Sequence, residues 1–108
     1  MKISRSRIYR MNTDVDEIIQ TVAEEYRVSP KSIIGKTRMR DVSEARQICA
    51  YILREQKYKR SDIAQQLNRK PKTVYYELQQ ARILLSADKS VKKHYESIKK
   101  ELELWAQH

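Results

Sequence analysis

Apolar residues recur along the chain at intervals of three and four positions, which is the spacing of one face of an α-helix. The first such stretch begins near Asp14 and has the apolar face Val15, Ile18, Ile19, Val22, Ala23 and Tyr26. A second runs from about Val42 to Glu55, with the inward positions Ala45, Ile48, Cys49, Ile52 and Leu53. Because the chain has one glycine and two prolines to interrupt such stretches, the pattern predicts an all-α protein.

The C-terminal half continues the helical pattern in three more stretches. A short helix has Ile63, Ala64 and Leu67 on one face, and after a break at 68–70 another runs from Pro71 to about Leu85. The last helix starts at Asp88 or Ser90 and has the apolar line Val91, Tyr95, Ile98, Leu102 and Trp105. Together the stretches predict a compact bundle of about five to six helices.

Candidate helix ends divide the stretches. Thr13 and Ser61 stand where an N-cap is expected, and Ser29 precedes Pro30 as an N-cap precedes the first residue of a one-turn helix. Gly35, the single glycine, is predicted to close that turn in the left-handed conformation.

The composition excludes several classes of protein. With the lone Cys49 there is no disulfide framework and no cysteine zinc site, which fits a reducing, cytoplasmic compartment. One glycine excludes a glycine-rich phosphate loop, and no apolar run is long enough to span a membrane. His94 and His108 have no partners at metal-ligand spacing, so we predict no metal, no cofactor, no small-molecule substrate and no enzymatic activity.

Basic residues form separate blocks within a net charge of +9. Residues 1–12 carry four bases and no acid, and residues 54–72 carry seven bases against two acids. Residues 13–34 between them are acidic on balance. Such blocks suit a polyanion, because bound phosphates release counterions. A solvated helical surface without a polyanion partner is the alternative.

The two helices that flank Asn68 have features of a helix-turn-helix. Ala64 is small where the second helix must approach, and Asn68 tolerates a left-handed turn. The second helix begins with Lys70, Pro71, Lys72 and Thr73, which puts cations and a hydroxyl where a recognition helix meets DNA. Tyr75 and Tyr76 follow, of which at most one is expected to face inward. An ordinary helical hairpin is the competing interpretation.

Five segments follow one another in a characteristic order and spacing: Thr21-Val22-Ala23-Glu24-Glu25-Tyr26, Gly35-Lys36-Thr37-Arg38-Met39-Arg40, Ala45-Arg46-Gln47-Ile48, Ile63-Ala64 and Thr73-Val74. Together they resemble the C-terminal DNA-binding domain of DnaA, the bacterial chromosomal replication initiator, and the resemblance covers about Asp14 to Leu102. It implies an all-helical fold related to the tryptophan repressor, with a basic loop before the helix-turn-helix. It also implies duplex-DNA binding on a short, asymmetric, A·T-containing box by a monomer in the bacterial nucleoid.

The resemblance assigns roles to individual residues. Arg38 of the basic loop would enter the minor groove, and Arg40 would lie near the DNA backbone. Arg46 and Gln47 would hold phosphates and support the reading head. Three more positions match family contacts at or before the recognition helix: Arg54, Arg69 and Thr73. Val74 would face the core.

Lys70 and Pro71 depart from the family signature, which has an acid followed by His at these positions. Lys70 can only donate hydrogen bonds, and Pro71 has no side-chain donor. Lys72 adds a cation beside the phosphates. We therefore expect DNA binding with a changed or relaxed preference for the box.

The sequence divides into a basic, flexible arm at 1–12 and a DNA-binding domain at 13–105. It has no Walker A motif, so no ATPase activity is assigned, and the initial Met favours a stand-alone module. A helical adaptor whose basic surface meets an acidic protein is the alternative function. RNA is a third possibility, although no stacking platform of the usual kind is visible.

Overall fold

The computed structural model describes residues 14–103. The predicted arm at 1–12, the cap Thr13 and the apolar residue Trp105 lie outside the described residues. Within 14–103 the protein is all-α, as predicted, and no strand is found. Its helices are α1 (Val15–Tyr26), α2 (Pro30–Ile33), α3 (Arg40–Glu55), α4 (Arg60–Gln66), α5 (Pro71–Ala87) and α6 (Lys89–Glu101).

Helix α3 lies at the centre of the bundle and packs against α1, α2, α4 and α5. Helix α5 also contacts α4 and α6, and α6 closes the bundle against α1. The predicted apolar faces form one continuous core, in which the largest fully buried side chains are Ile18, Ile33, Ile48, Ile52, Leu53, Ile63, Leu67 and Ile98. Burial of these faces supplies the main driving force for folding.

The predicted cap at Ser29 is confirmed, and of the two predicted starts of the last helix, Asp88 is the N-cap. The Ser29 hydroxyl accepts a hydrogen bond from the Ser32 amide at 3.1 Å, with Pro30 at the first position of α2. Asp88 caps α6, since its Oδ1 accepts from the amides of Ser90 at 2.9 Å and Val91 at 3.3 Å. Both side chains pair amides that would have no partner within the helix.

The predicted start of α4 is wrong. Lys59 is the N-cap, and Ser61 lies inside the helix. Helix α3 begins at Arg40, two residues before the predicted start near Val42. Arg40 is therefore the first residue of α3 and not a member of the loop.

The prediction for Gly35 is wrong in its conformation. No glycine in 14–103 has a positive φ, whereas Arg27, Lys57, Asn68 and Glu103 do. Asn68, with φ 57°, is left-handed as predicted. A Cβ atom on Gly35 would lie 3.1 Å from the carbonyl oxygen of Lys31, so glycine here relieves crowding.

Candidate nucleic-acid interface

A cleft of about 510 Å³ separates the basic loop from the helix-turn-helix. The loop between α2 and α3 forms one wall, and the turn after α4 with the first two turns of α5 forms the other. Its lining residues are Lys36, Thr37, Arg38, Arg46, Asn68, Arg69, Lys70, Thr73 and Glu77. The structure thus brings together the loop and the predicted recognition helix, which are about thirty residues apart in sequence.

Arg46 lies beneath the loop and is only 5% exposed. Its Nε donates to the Ile33 carbonyl at 2.6 Å, and its Nη2 donates to the carbonyls of Ser32 at 3.0 Å and of Gly35 and Thr37 at 3.3 Å. Burial lowers the pKa of Arg46, and the charge of Arg69 lowers it further. Through Nε and Nη2 the guanidinium therefore supports the loop from within the protein, and its predicted contact with a phosphate stays a prediction.

Arg69 occupies the turn between α4 and α5, with a side chain only 12% exposed. Its Nη1 donates to the Asn68 carbonyl at 2.9 Å, and its Nη2 donates to the carbonyl of Gly35. The Nε lies 3.7 Å from Oε2 of Glu77. Arg69 therefore ties the turn to the loop and is not a freely extended cation.

Arg38, in contrast, is exposed at the rim of the cleft, and no partner for it is found among residues 14–103. Exposed residues also form the start of α5: Lys70, Pro71, Lys72 and Thr73. Lys70 is the N-cap and makes no capping bond through its side chain, so within 14–103 the first turn of α5 has no cap side chain to accept from its amides. The helix dipole adds positive potential at this end.

Residues 15–80, more than half of the chain, match the family described as the bacterial dnaA protein helix-turn-helix. The chain belongs to this family. Membership implies DNA binding by a domain that is not itself catalytic. A comparison with curated proteins gives no match.

Three residues that the DnaA resemblance assigned to DNA do not line this cleft. Arg40 lines a separate cleft of about 710 Å³ together with the acids Glu24, Glu25, Asp41, Glu44 and Asp88. Gln47 is half-buried on α3. Arg54 is exposed, and its Nη1 donates to the Tyr58 carbonyl at 3.1 Å.

Tyr75 and Tyr76 of α5 are both exposed, by 43% and 58%, so neither enters the core. The rings meet edge to face with centroids 5.4 Å apart. The Tyr75 hydroxyl accepts from the side chain of Gln79 at 3.1 Å, and the Arg60 guanidinium lies 5.5 Å from the Tyr75 ring centroid. Val74, as predicted from the family, is fully buried.

Sequence reasoning did not single out Arg60 or Glu77. Arg60 opens α4, and its guanidinium contacts the Tyr75 ring across a sequence separation that no periodic pattern signals. Glu77 was visible in principle, because Lys70, Thr73 and Glu77 follow the i, i+3, i+7 spacing of one helix face.

Cys49 and His94 have structural roles. Cys49 is fully buried, as predicted, and burial raises the pKa of its thiol to about 12. His94 Nδ1 lies 2.8 Å from Oε2 of Glu25. The centroid of its ring lies 4.5 Å from that of the Tyr26 ring, and the two ring planes are tilted by 35°. No cluster of metal-binding side chains is found within 14–103. None of the described helices is both long and apolar enough to cross a membrane.

Proposed function

We propose that the chain is a sequence-preferring duplex-DNA-binding module, with α5 in the major groove and the Arg38 loop in the adjacent minor groove. The observation that carries this proposal is the shared cleft, because Arg38 and the exposed start of α5 border the same opening. One duplex can contact both walls without a rearrangement of the core. The module acts at the nucleoid as a monomer on a short, asymmetric box.

The two walls have different tasks. Arg38 has no partner within 14–103 and extends a planar cation, which suits the narrow and strongly negative minor groove of an A·T tract. Lys70, Lys72 and the first-turn amides of α5, which the Lys70 side chain does not cap, hold phosphates at the major groove. Thr73 is exposed beside them and offers a methyl group and a hydroxyl to a base edge.

At the start of α5, contacts with the bases contribute less to DNA binding than contacts with the phosphates. Lys70 has no acceptor atom for a base amine, and Pro71 offers only apolar contact. The exposed Tyr75 and Tyr76 extend the apolar surface along the helix. We therefore expect the box to be most sharply defined in its A·T part and relaxed opposite α5.

The chain binds DNA without ATP. Its single glycine leaves no Walker A motif, and we propose that its affinity for duplex is the same with and without ATP and Mg²⁺. We expect equal affinities for duplex DNA in buffers with and without ATP and Mg²⁺. A change of tenfold or more in the affinity when the nucleotide is added would contradict this part of the proposal.

The test is a selection from a random duplex library, followed by binding titrations at two salt concentrations. Arg38→Ala should weaken binding to A·T-containing sites by about ten- to hundredfold. Arg82→Ala, an equal loss of charge at an exposed position three turns along α5, is the matched control and should change little. No enriched site, together with weak duplex binding at about 0.15 M salt, would contradict the proposal and leave the adaptor function.

A further inference from the structure

Glu77 is the one acidic residue among the described residues that line the cleft, whose other charged lining residues are all cations. Its side chain is 12% exposed and lies on the face of α5 that carries Thr73 and Lys70. Around it stand Lys36, Arg38, Arg46, Arg69 and Lys70. A negative charge here opposes the attraction of DNA phosphates, so its presence calls for a function other than affinity.

One of the two carboxylate oxygens of Glu77 faces a cation, and the other has no hydrogen-bond partner among the described residues. Oε2 lies 3.7 Å from Nε of Arg69, while Oε1 is buried and has no hydrogen-bond partner among the described residues. Burial raises the pKa of Glu77, and the charges of Arg69 and Arg46 oppose that rise. A buried carboxylate with one unpaired oxygen is costly to keep.

A chain of contacts runs from Glu77 to the loop. Arg69, which Glu77 faces, donates from Nη2 to the Gly35 carbonyl, and the same oxygen accepts from Nη2 of Arg46 at 3.3 Å. The four residues belong to α5, the turn, the loop and α3 respectively. They connect the two walls that the proposed function places in two different grooves.

We propose that Glu77 is a positioning residue that sets the distance between the Arg38 loop and α5, and thereby the spacing of the two halves of the DNA site. The inference rests on the proposed function. Without the carboxylate, the guanidinium of Arg69 is drawn toward DNA phosphate in the cleft and releases Gly35. The loop then moves relative to α5, and DNA with a different spacing is accepted.

The experiment compares two duplexes. One is the site selected by the wild type, and the other has one base pair inserted between its A·T part and the part that faces α5. The insertion shifts the halves by about 3.4 Å. We expect the wild type to prefer the selected site by at least about tenfold, and Glu77→Gln to reduce that preference below about threefold without weaker binding to the inserted duplex.

Control variants separate positioning from charge and from stability. Glu96→Gln makes the same change of charge at an exposed position of α6 and should keep the wild-type preference. Glu77→Met, an apolar side chain of similar length, should fold and lose the preference as Glu77→Gln does. Arg69→Gln should also lose the preference for the selected site. The double variant Glu77→Gln/Arg69→Gln should lose no more of this preference than either single variant, since both residues act through one contact.

The outcomes are distinguishable. If the wild type selects no site, the proposed function itself fails. If the wild type discriminates the two duplexes and Glu77→Gln discriminates them equally, DNA binding stands and the positioning role is overturned. Equal weakening on both duplexes, together with a lower melting temperature, would make Glu77 a merely structural residue and would also overturn the inference.

Discussion

The Nε of Arg46 donates a 2.6 Å hydrogen bond to the carbonyl oxygen of Ile33, which ends α2 thirteen residues earlier in the chain. With three further carbonyls on Nη2, this guanidinium organises the segment from Ser32 to Thr37. The loop between α2 and α3 is therefore held from below by a buried cation, while Arg38 at its rim has no partner within 14–103.

Replacement of Arg46 should destabilise the protein. Arg46→Ala removes the buried hydrogen bond to the Ile33 carbonyl and three part-buried ones to the loop, and we expect the free energy of unfolding to fall by about 3 kcal/mol. Arg46→Lys should recover less than half, because an ammonium cannot span the same acceptors. Urea unfolding measures both. Arg38→Ala is the control and should change stability by less than about 0.5 kcal/mol, and an equal loss in the two variants would contradict this account.

The left-handed conformation of Asn68 predicts an order of stabilities in the turn. Asn68→Gly should be close to the wild type, since glycine adopts a φ of 57° without cost. Asn68→Ala should lose about 1 kcal/mol, because its Cβ disfavours that region and its side chain has no polar group. Thermal unfolding of the three proteins tests the order, which would be refuted if Ala were as stable as Gly.

The thiol of Cys49 should be inert in the folded protein. It is fully buried and its pKa is raised to about 12, so very little thiolate exists at pH 8. Since Cys49 is the only cysteine of the chain, a thiol reagent reports on it alone. We expect modification to be at least about a hundredfold slower than in guanidinium chloride. Rapid, stoichiometric reaction under native conditions would show that the core opens at α3.

Glu77 predicts a pH dependence of stability with a definite sign. Burial raises its pKa in the folded state, so the folded protein binds this proton more tightly than the unfolded chain does. The wild type should lose this contribution as the pH rises from about 4, the ordinary carboxyl range, through the raised pKa. Glu77→Gln cannot titrate, so its stability relative to the wild type should increase with pH. A difference that stays constant, or that changes in the opposite direction, would contradict the assignment.

The local features of the fold could be predicted from the sequence, because each is decided by neighbouring residues. The apolar faces of α1 and α3, the cap at Ser29 with Pro30, and the turn at Asn68 follow from spacing or from backbone preference. The predicted N-cap at Ser61 is wrong, since a hydroxyl residue near a helix start is also tolerated within the first turn.

The buried arginines could not be predicted in the same way. Arg46 stands next to inward residues of α3, and its acceptors are carbonyls that lie 9 to 14 residues away. Arg69 reaches Gly35 across 34 residues. Sequence patterns predict that arginine is exposed. The tertiary structure shows which guanidinium groups are hydrogen-bonded within the fold and which remain at the surface.

Asp88 ends α5 and also begins α6, so no linker separates the two helices. Each residue added at this junction would rotate α6 by about 100° about its axis and advance it by about 1.5 Å. Such a rotation would turn Val91 and Ile98 away from the core that they now complete. At this junction the length of the chain is therefore constrained more strictly than its composition. A substitution at residue 88 removes only the cap of α6, whereas an insertion removes the packing of the whole helix against the core.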